Sequence, residues 1–595
     1  MVTEMKKTIF SMICLAMALL VQSCSEENIN AVPANFPQAS SIYGNKVTVL
    51  QFINNLYTFV PRGYNRMDVN PGSNDEISGA AGATPGVPAP GAFTAMLASA
   101  TDEAVHATRN SAAERWGAGQ WNSSAANLWD SPYRTMYAGI RRTFNYTEDI
   151  GPNLIIGNGA NELKAAERDQ YHGQVIFLRA LFNFELLKRF GGYPIVKKQL
   201  SAADDMNIPK SSYADCVKYI TELCNEAAPL LPLVYPTSTS DFGRATRGAA
   251  LALKARLLLY AASPLNNTAA DVTKWEAAAQ AAAAVINLKD GAANVYGLYP
   301  AGTSGAGYEA FFTTIAGNNE IIFSKMEPAN NTIERLNGLP SISGGLGGTC
   351  PTLDLVNDYE MVTGVPFDWN NPAHAANPFA NRDPRFGKSI IFNGATWMNS
   401  GTSALVETFE GGKDKVGTNP TRTGFYLRKF LNVNARWVAP TGNTNHCFPL
   451  FRYAEVLLNY AEAMNEAYGP DNAATYGLTA RQAIALIRTR AGLTGNLTVP
   501  QATTQALMRS AIRHERRIEL AFEEHRHMDL RRWKIAESVL NQPVSGLKIL
   551  KTGATTYSYT PEVVEPRVFT SKMYYYPFPQ EELSRNPGLV QNTGW

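Results

Sequence analysis

Cysteine is scarce in this chain, with six among 595 residues and no CxxC pair. That excludes a disulfide framework of the kind small secreted domains rely on. Cys216 and Cys224 sit eight residues apart in a helical-looking segment. At ~1.5 Å rise per residue that is roughly 12 Å, too far to bridge. A surplus of one charge is also missing, since 53 basic and 51 acidic residues leave a net +2. A nucleic-acid binder usually shows a basic excess or a clustered basic face, so polyanions are poor candidates as ligands. Long apolar runs are absent after the first 24 residues, so no later segment is expected to span a membrane. Stability must come from core burial, which a chain of this length can supply.

What is present begins at the N-terminus. Lys6 and Lys7 precede an apolar run from Ile9 to Val21 broken only by Ser11. The run is too short for a spanning helix and has the form of an export signal. Leu20-Val21-Gln22-Ser23-Cys24 closes it and resembles a bacterial lipobox, in which Cys24 is acylated and becomes the mature N-terminus. Acyl chains bury CH₂ groups in the bilayer and give a durable anchor. The bland alternative is a secretory signal with a chance cysteine. Accordingly we expect a signal peptide over 1–23 and a lipid-anchored, pattern-poor tether over 24–45.

Helical periodicity dominates much of the rest. Val49, Leu50, Ile53, Leu56 and Tyr57 fit one helix, and Tyr171, Val175, Leu178, Phe182 and Leu186 form a stripe over 167–190. Gly191-Gly192-Tyr193-Pro194 stops that helix. Further stripes run over 212–228, ended by Pro229 and Pro232, then over 246–262 and 275–286, and again after Leu457 and Ala483. Helices in apparent pairs predict a mainly α fold with tetratricopeptide-like hairpins, although no strict repeat is visible. Residues 62–92 are rich in Gly, Pro, Ala and Ser and form a long loop. Residues 296–450 are loop-rich with short apolar runs, predicting an irregular half draped over the helices. The expected organisation is thus a helical region over 46–295, an irregular part over 296–450 and closing helices over 451–595.

Several segments together resemble the SusD/RagB family of outer-membrane nutrient-binding lipoproteins. They are Phe177-Leu178-Arg179-Ala180 leading to Phe190-Gly191-Gly192-Tyr193-Pro194, Gly243-Arg244-Ala245-Thr246-Arg247-Gly248, and Arg382-Asp383-Pro384-Arg385-Phe386. Arg452-Tyr453-Ala454-Glu455, Ile487-Arg488-Thr489-Arg490-Ala491-Gly492, and Glu515-Arg516-Arg517-Ile518-Glu519 continuing to Arg531-Arg532-Trp533 complete the set. Ser25-Glu26-Glu27 resembles the acidic signal that sends lipoproteins of Bacteroidetes to the cell surface. The resemblance implies a non-enzymatic, surface-exposed outer-membrane lipoprotein. It would capture polysaccharide or oligosaccharide and deliver it to a SusC-like TonB-dependent transporter. Peptide capture for a similar transporter is the alternative ligand class, and a surface glycosidase the alternative activity. No cofactor is implied.

Binding candidates concentrate where aromatic rings sit in polar surroundings. Arg109, Asn110, Trp116, Trp121 and Trp129 lie close together, and Tyr296, Tyr299, Tyr308, Trp369 and Trp397 fall in the irregular part. Rigid rings stack on pyranose faces while Arg and Asn bond the hydroxyls. Core packing is the competing reading for each ring, and the favoured one for Trp129, whose i+4 and i+8 neighbours are Tyr133 and Tyr137. Chemistry finds weaker support. His514, His525 and His527 lack the i, i+4 spacing of a helical zinc site, so no metal is expected and the segment reads as an ion-paired helix. No Gly-x-Ser-x-Gly elbow occurs. Asp102-Glu103 is the carboxylate pair that first invites a hydrolytic reading, although chain neighbours rarely straddle one bond.

Overall fold

A computed structural model describes residues 45–61, 63, 95–124, 132–157, 159, 162–236, 241–300, 302, 305–342, 345–399, 402–417, 420–435 and 443–595. The signal segment, Cys24, most of the tether, the loop over 64–94 and Trp129 lie outside the described residues.

The predicted stripes form helices, stacked largely in chain order. The helices are α1 (Lys46–Tyr57), α2 (Ala112–Gly117), which forms where no stripe was predicted, α3 (Tyr133–Phe144), α4 (Ala165–Phe190), α5 (Tyr213–Leu230), α6 (Arg247–Ala262) and α7 (Val272–Ile286). From α3 to α7 each packs on the next, and the closing helix α8 (Tyr453–Tyr468) seats against α7. Helices α9 (Ala480–Ala491) and α10 (Gln505–Glu519) continue from α8, and α11 (His525–Arg532) follows. Caps set the boundaries: Ser212, Thr246, Asp271, Thr479 and Thr504 each accept a backbone N–H with the side chain. Pro229 sits inside the last turn of α5, and the helix ends at Leu230, between the two prolines expected to stop it. Close helix approach uses small residues. A Cβ on Gly173 of α4 would lie 2.8 Å from the Leu230 side chain, which is why glycine stands there.

The described residues of 296–450 form short helices, turns and two-stranded ribbons. The ribbons that matter below are all antiparallel. Strand β1 (Ala104–His106) pairs with β3 (Thr349–Pro351), β2 (Ile321–Asn330) with β4 (Thr444–Arg452), and β5 (Val544–Lys551) with β6 (Tyr557–Glu565). Two apolar cores result, a large one inside the helical stack and a second under the irregular half around Tyr308, Phe312, Leu355, Phe425 and Phe522.

A buried ionic layer joins the two halves. Arg452 reaches Glu320 at 2.7 Å, Glu519 at 2.8 Å and Glu523 at 2.6 Å. Arg385 binds Asp383 at 2.7 Å, Glu515 at 2.6 Å and Glu519 at 2.9 Å, while Arg488 spans Glu515 and Glu360. Burial alone disfavours every one of these charges, but the surrounding guanidinium groups outweigh it and hold the Glu519 carboxyl well below the usual carboxylate range. The family-like segments therefore supply this layer; their Arg and Glu are structural.

Candidate functional site

Most of the rings proposed from sequence turn out to be core. Trp116 and Trp121 are 3% and 4% exposed and stack on each other at 4.2 Å between centroids, with planes 8° apart. Tyr576 meets both rings edge-on at 5.3 Å and Trp595 covers Trp121 at 4.6 Å. A ring so enclosed has no free face for a sugar, so the expectation of stacking at Trp116 and Trp121 is corrected. Tyr296 is buried with its hydroxyl 2.9 Å from Thr246 Oγ1. Tyr308 is buried and donates to the Glu519 carbonyl at 3.1 Å, and Trp397 is buried as well. These three are packing residues for the same reason. Arg109 and Asn110 do reach the surface, on a turn where Asn110 takes the left-handed conformation (φ 55°).

Trp369 is different. It is half-buried, and its Nε1 donates to Asn357 Oδ1 at 3.0 Å, which fixes the ring without covering it. Phe367 lies edge-on to it at 5.1 Å, and Tyr559 is tilted against it at 6.2 Å. Tyr557 and Tyr559 alternate with Ser558 along β6, so both rings leave the same face about 7 Å apart. Tyr557 in turn meets Phe409 at 5.8 Å, over which the Lys551 ammonium sits at 5.2 Å. Phe367, Trp369 and Tyr559, with Tyr557 further along β6 and Phe409 beyond it, therefore form a row of half-buried rings where β6 meets the irregular half, with His374 stacked on Phe367 at 5.5 Å. Phe379 backs the row, 5.7 Å from Tyr559.

The row is held from beneath by Arg382. Its guanidinium donates to the Tyr359 carbonyl at 3.1 Å and 2.6 Å and to the Pro378 carbonyl at 2.7 Å, and stacks 4.1 Å from Phe367. Burial pulls its pKa down to about 10, so it remains charged at neutral pH. Of the sequence candidates only Trp369 belongs to this row. The other rings escaped notice, although the Tyr557-Ser558-Tyr559 alternation was a signal that could have found two of them.

The groups that invited a catalytic reading are internal. Asp102 is gripped by Arg526 at 2.9 Å and 2.8 Å and by Arg517 at 3.1 Å. Burial pushes its carboxyl up, but the two guanidinium groups prevail and hold it well below the usual range. Glu103 is 1% exposed, and burial together with the Asp102 charge pushes it up to about 8. Both carboxyls are thus buried inside the fold, Asp102 at 7% exposure and Glu103 at 1%. The histidines of the 514–527 segment are separately engaged: His514 with the Asp358 carbonyl at 2.7 Å, His525 with Arg516 at 3.3 Å, His527 with the Tyr576 hydroxyl at 2.7 Å. Among the described residues no group of three or more His, Cys, Asp or Glu is placed to hold a metal ion.

Comparison with known proteins agrees with this architecture. Residues 319–595 match the model of the SusD family, and residues 88–259 match a family described as starch-binding and associating with the outer membrane. A SusD-like protein of Formosa agariphila is 33% identical over 143 residues, a match spanning 24% of each chain. A SusD-like protein of Bacteroides fragilis superposes with a TM-score of 0.75 at 26% identity, covering 93% of this chain and 98% of its own. A second structure from that organism, a SusD-like carbohydrate-binding protein, gives a TM-score of 0.71 at 24% identity, covering 92% of this chain and 100% of its own. With both its N-terminal helical region and its C-terminal half matched, and its fold shared almost end to end, this chain belongs to the SusD/RagB family.

Proposed function

We propose that this chain captures glycan at the outer surface of the outer membrane and performs no chemistry on it. The observation that carries the reading is the row from Phe367 through Trp369, Tyr559 and Tyr557 to Phe409. Half-buried rings are fixed by the core yet keep part of their surface at the solvent boundary, and pyranose rings present apolar C–H faces to such aromatic surfaces. The family described as starch-binding and associating with the outer membrane, and the carbohydrate-binding relative from Bacteroides fragilis, support the same ligand class and location. The N-terminal lipobox supports anchoring through acylated Cys24, and the family resemblance supports delivery to a SusC-like TonB-dependent transporter. Arg109 and Asn110, both exposed, are the polar residues kept as ligand contacts from the sequence reading. The enclosure of Asp102 and Glu103 favours binding over hydrolysis.

The test places the chain lacking residues 1–24 on immobilised plant, host and microbial polysaccharides. Retention on at least one class without release of reducing ends is expected. Covering roughly 60 Å² of one ring face at ~25 cal/mol/Å² stabilises by about 1.5 kcal/mol, so Trp369→Ala should weaken retention about tenfold. Release of new reducing ends would point to a glycosidase. Silence across the glycan panel together with retention on an immobilised peptide mixture would point to peptide capture.

A further inference from the structure

A concavity that shares no lining residue with the aromatic row lies between the segment Leu298–Pro300 and helix α9. Its volume is about 570 Å³, within the range of ~300–1,000 Å³ typical of small-ligand sites. One wall is Leu298, Tyr299 and Pro300; the other is the outward stripe of α9, Gln482, Ala485, Leu486 and Thr489. That stripe follows the i, i+3, i+4, i+7 spacing of one helix face. Leu486 is 44% exposed there.

Both walls are rigid. The Tyr299 N–H donates to the Glu320 carboxylate at 2.7 Å, and Glu320 belongs to the buried ionic layer. Across the groove, Gln482 and Thr479 form a reciprocal cap, the Thr479 N–H donating to Gln482 Oε1 at 2.9 Å. Gln482 therefore keeps its Nε2–H₂ for an outside acceptor, while Thr489 presents a hydroxyl roughly 10 Å further along the helix. The cation at the floor, Arg490, is neutralised by Glu320 at 2.8 Å and by Glu519. It offers no free charge to a phosphate or a carboxylate. The site thus combines one aromatic ring, apolar walls and two separated polar groups, without available charge.

We propose that this groove is a second saccharide site, taking a short neutral oligosaccharide with a ring against Tyr299. The inference rests on the reading of the chain as a glycan-binding protein but uses none of the row residues. Isothermal titration of the purified full chain in detergent tests it, with maltotriose, cellotriose, laminaritriose and xylotriose each alone and trigalacturonate as the charged control. At least one neutral trisaccharide is expected to bind. Leu486→Arg, a change at an exposed position, should weaken it at least fivefold while the variant melts with the parent chain. The row variant Trp369→Ala/Tyr559→Ala should leave it within twofold. The proposal is overturned if no neutral trisaccharide binds, if Leu486→Arg changes nothing, if the row variant abolishes binding, or if trigalacturonate binds as well. Polysaccharide retention reports on the row separately, so failure of the groove leaves the glycan reading standing.

Discussion

Trp121 lies between Trp116 and Trp595, with Tyr576 against its edge, and is 4% exposed. Truncating a large buried aromatic costs about 3–5 kcal/mol. Trp121→Ala is therefore expected to lower stability by about that amount in urea unfolding, while the folded fraction still retains polysaccharide. Loss of retention without loss of stability would return Trp121 to the ligand surface. Glu103 offers a second test. Its carboxyl titrates near 8 in the folded chain, raised by burial and by Asp102, against about 4.3 when unfolded. The folded state thus holds the proton more tightly. The stability this contributes is fully present below the unfolded value and is lost as pH rises through about 8. Asp102 runs the opposite way, since its depressed carboxyl contributes stability above its unfolded value that is lost as pH falls. Glu103→Gln, which cannot ionise, should flatten the decline of Tm between about pH 5 and 9. An unchanged profile would show that Glu103 ionises freely in the folded chain.

At the scale of elements, the strand β6 carries the sharpest expectation. Its side chains alternate between the two faces of the ribbon, so Tyr557 and Tyr559 join the aromatic row and Ser558 does not. Tyr559→Ala should weaken polysaccharide retention about tenfold, on the same ring-face area as Trp369. Ser558→Ala should leave retention unchanged. Equal effects at both positions would show that the ribbon and not its ring-bearing face is recognised. The register explains why the alternation is reliable: Tyr559 pairs with Ile549 and Tyr557 with Lys551, and Ile549 is buried in the second core, so slipping by one residue would expose it.

For the whole molecule, the ionic layer decides whether the two halves behave as one. Glu320 just before β2, Arg452 at the end of β4, Arg490 on α9 and Glu519 on α10 meet from distant parts of the chain. Removing one partner of such a layer strands the others in a low-dielectric interior. Arg452→Ala is accordingly expected to cost about 3–5 kcal/mol, because Glu320, Glu519 and Glu523 lose their shared cation. Calorimetry should show a single transition for the parent chain and an earlier one for the variant. Two separate transitions in the parent chain would mean that the layer does not couple the halves.

The local chain determined its own helices. Stripes such as Tyr171, Val175, Leu178, Phe182 and Leu186 became the buried face of α4, since periodicity and capping act within a few residues of each other. Arg382, Arg452, Glu515 and Glu519 were legible as a family signature, and the fold gave them a structural task. Which aromatic faces water was not legible. Trp116 and Trp121 stand among polar and small residues, yet Tyr576 and Trp595 arrive from the far end of the chain to enclose them. Trp369 has similar neighbours in sequence and stays half-open, because Asn357 holds only its edge. Exposure of a side chain is set by what packs on it across hundreds of residues, a long-range property that only the tertiary structure decides.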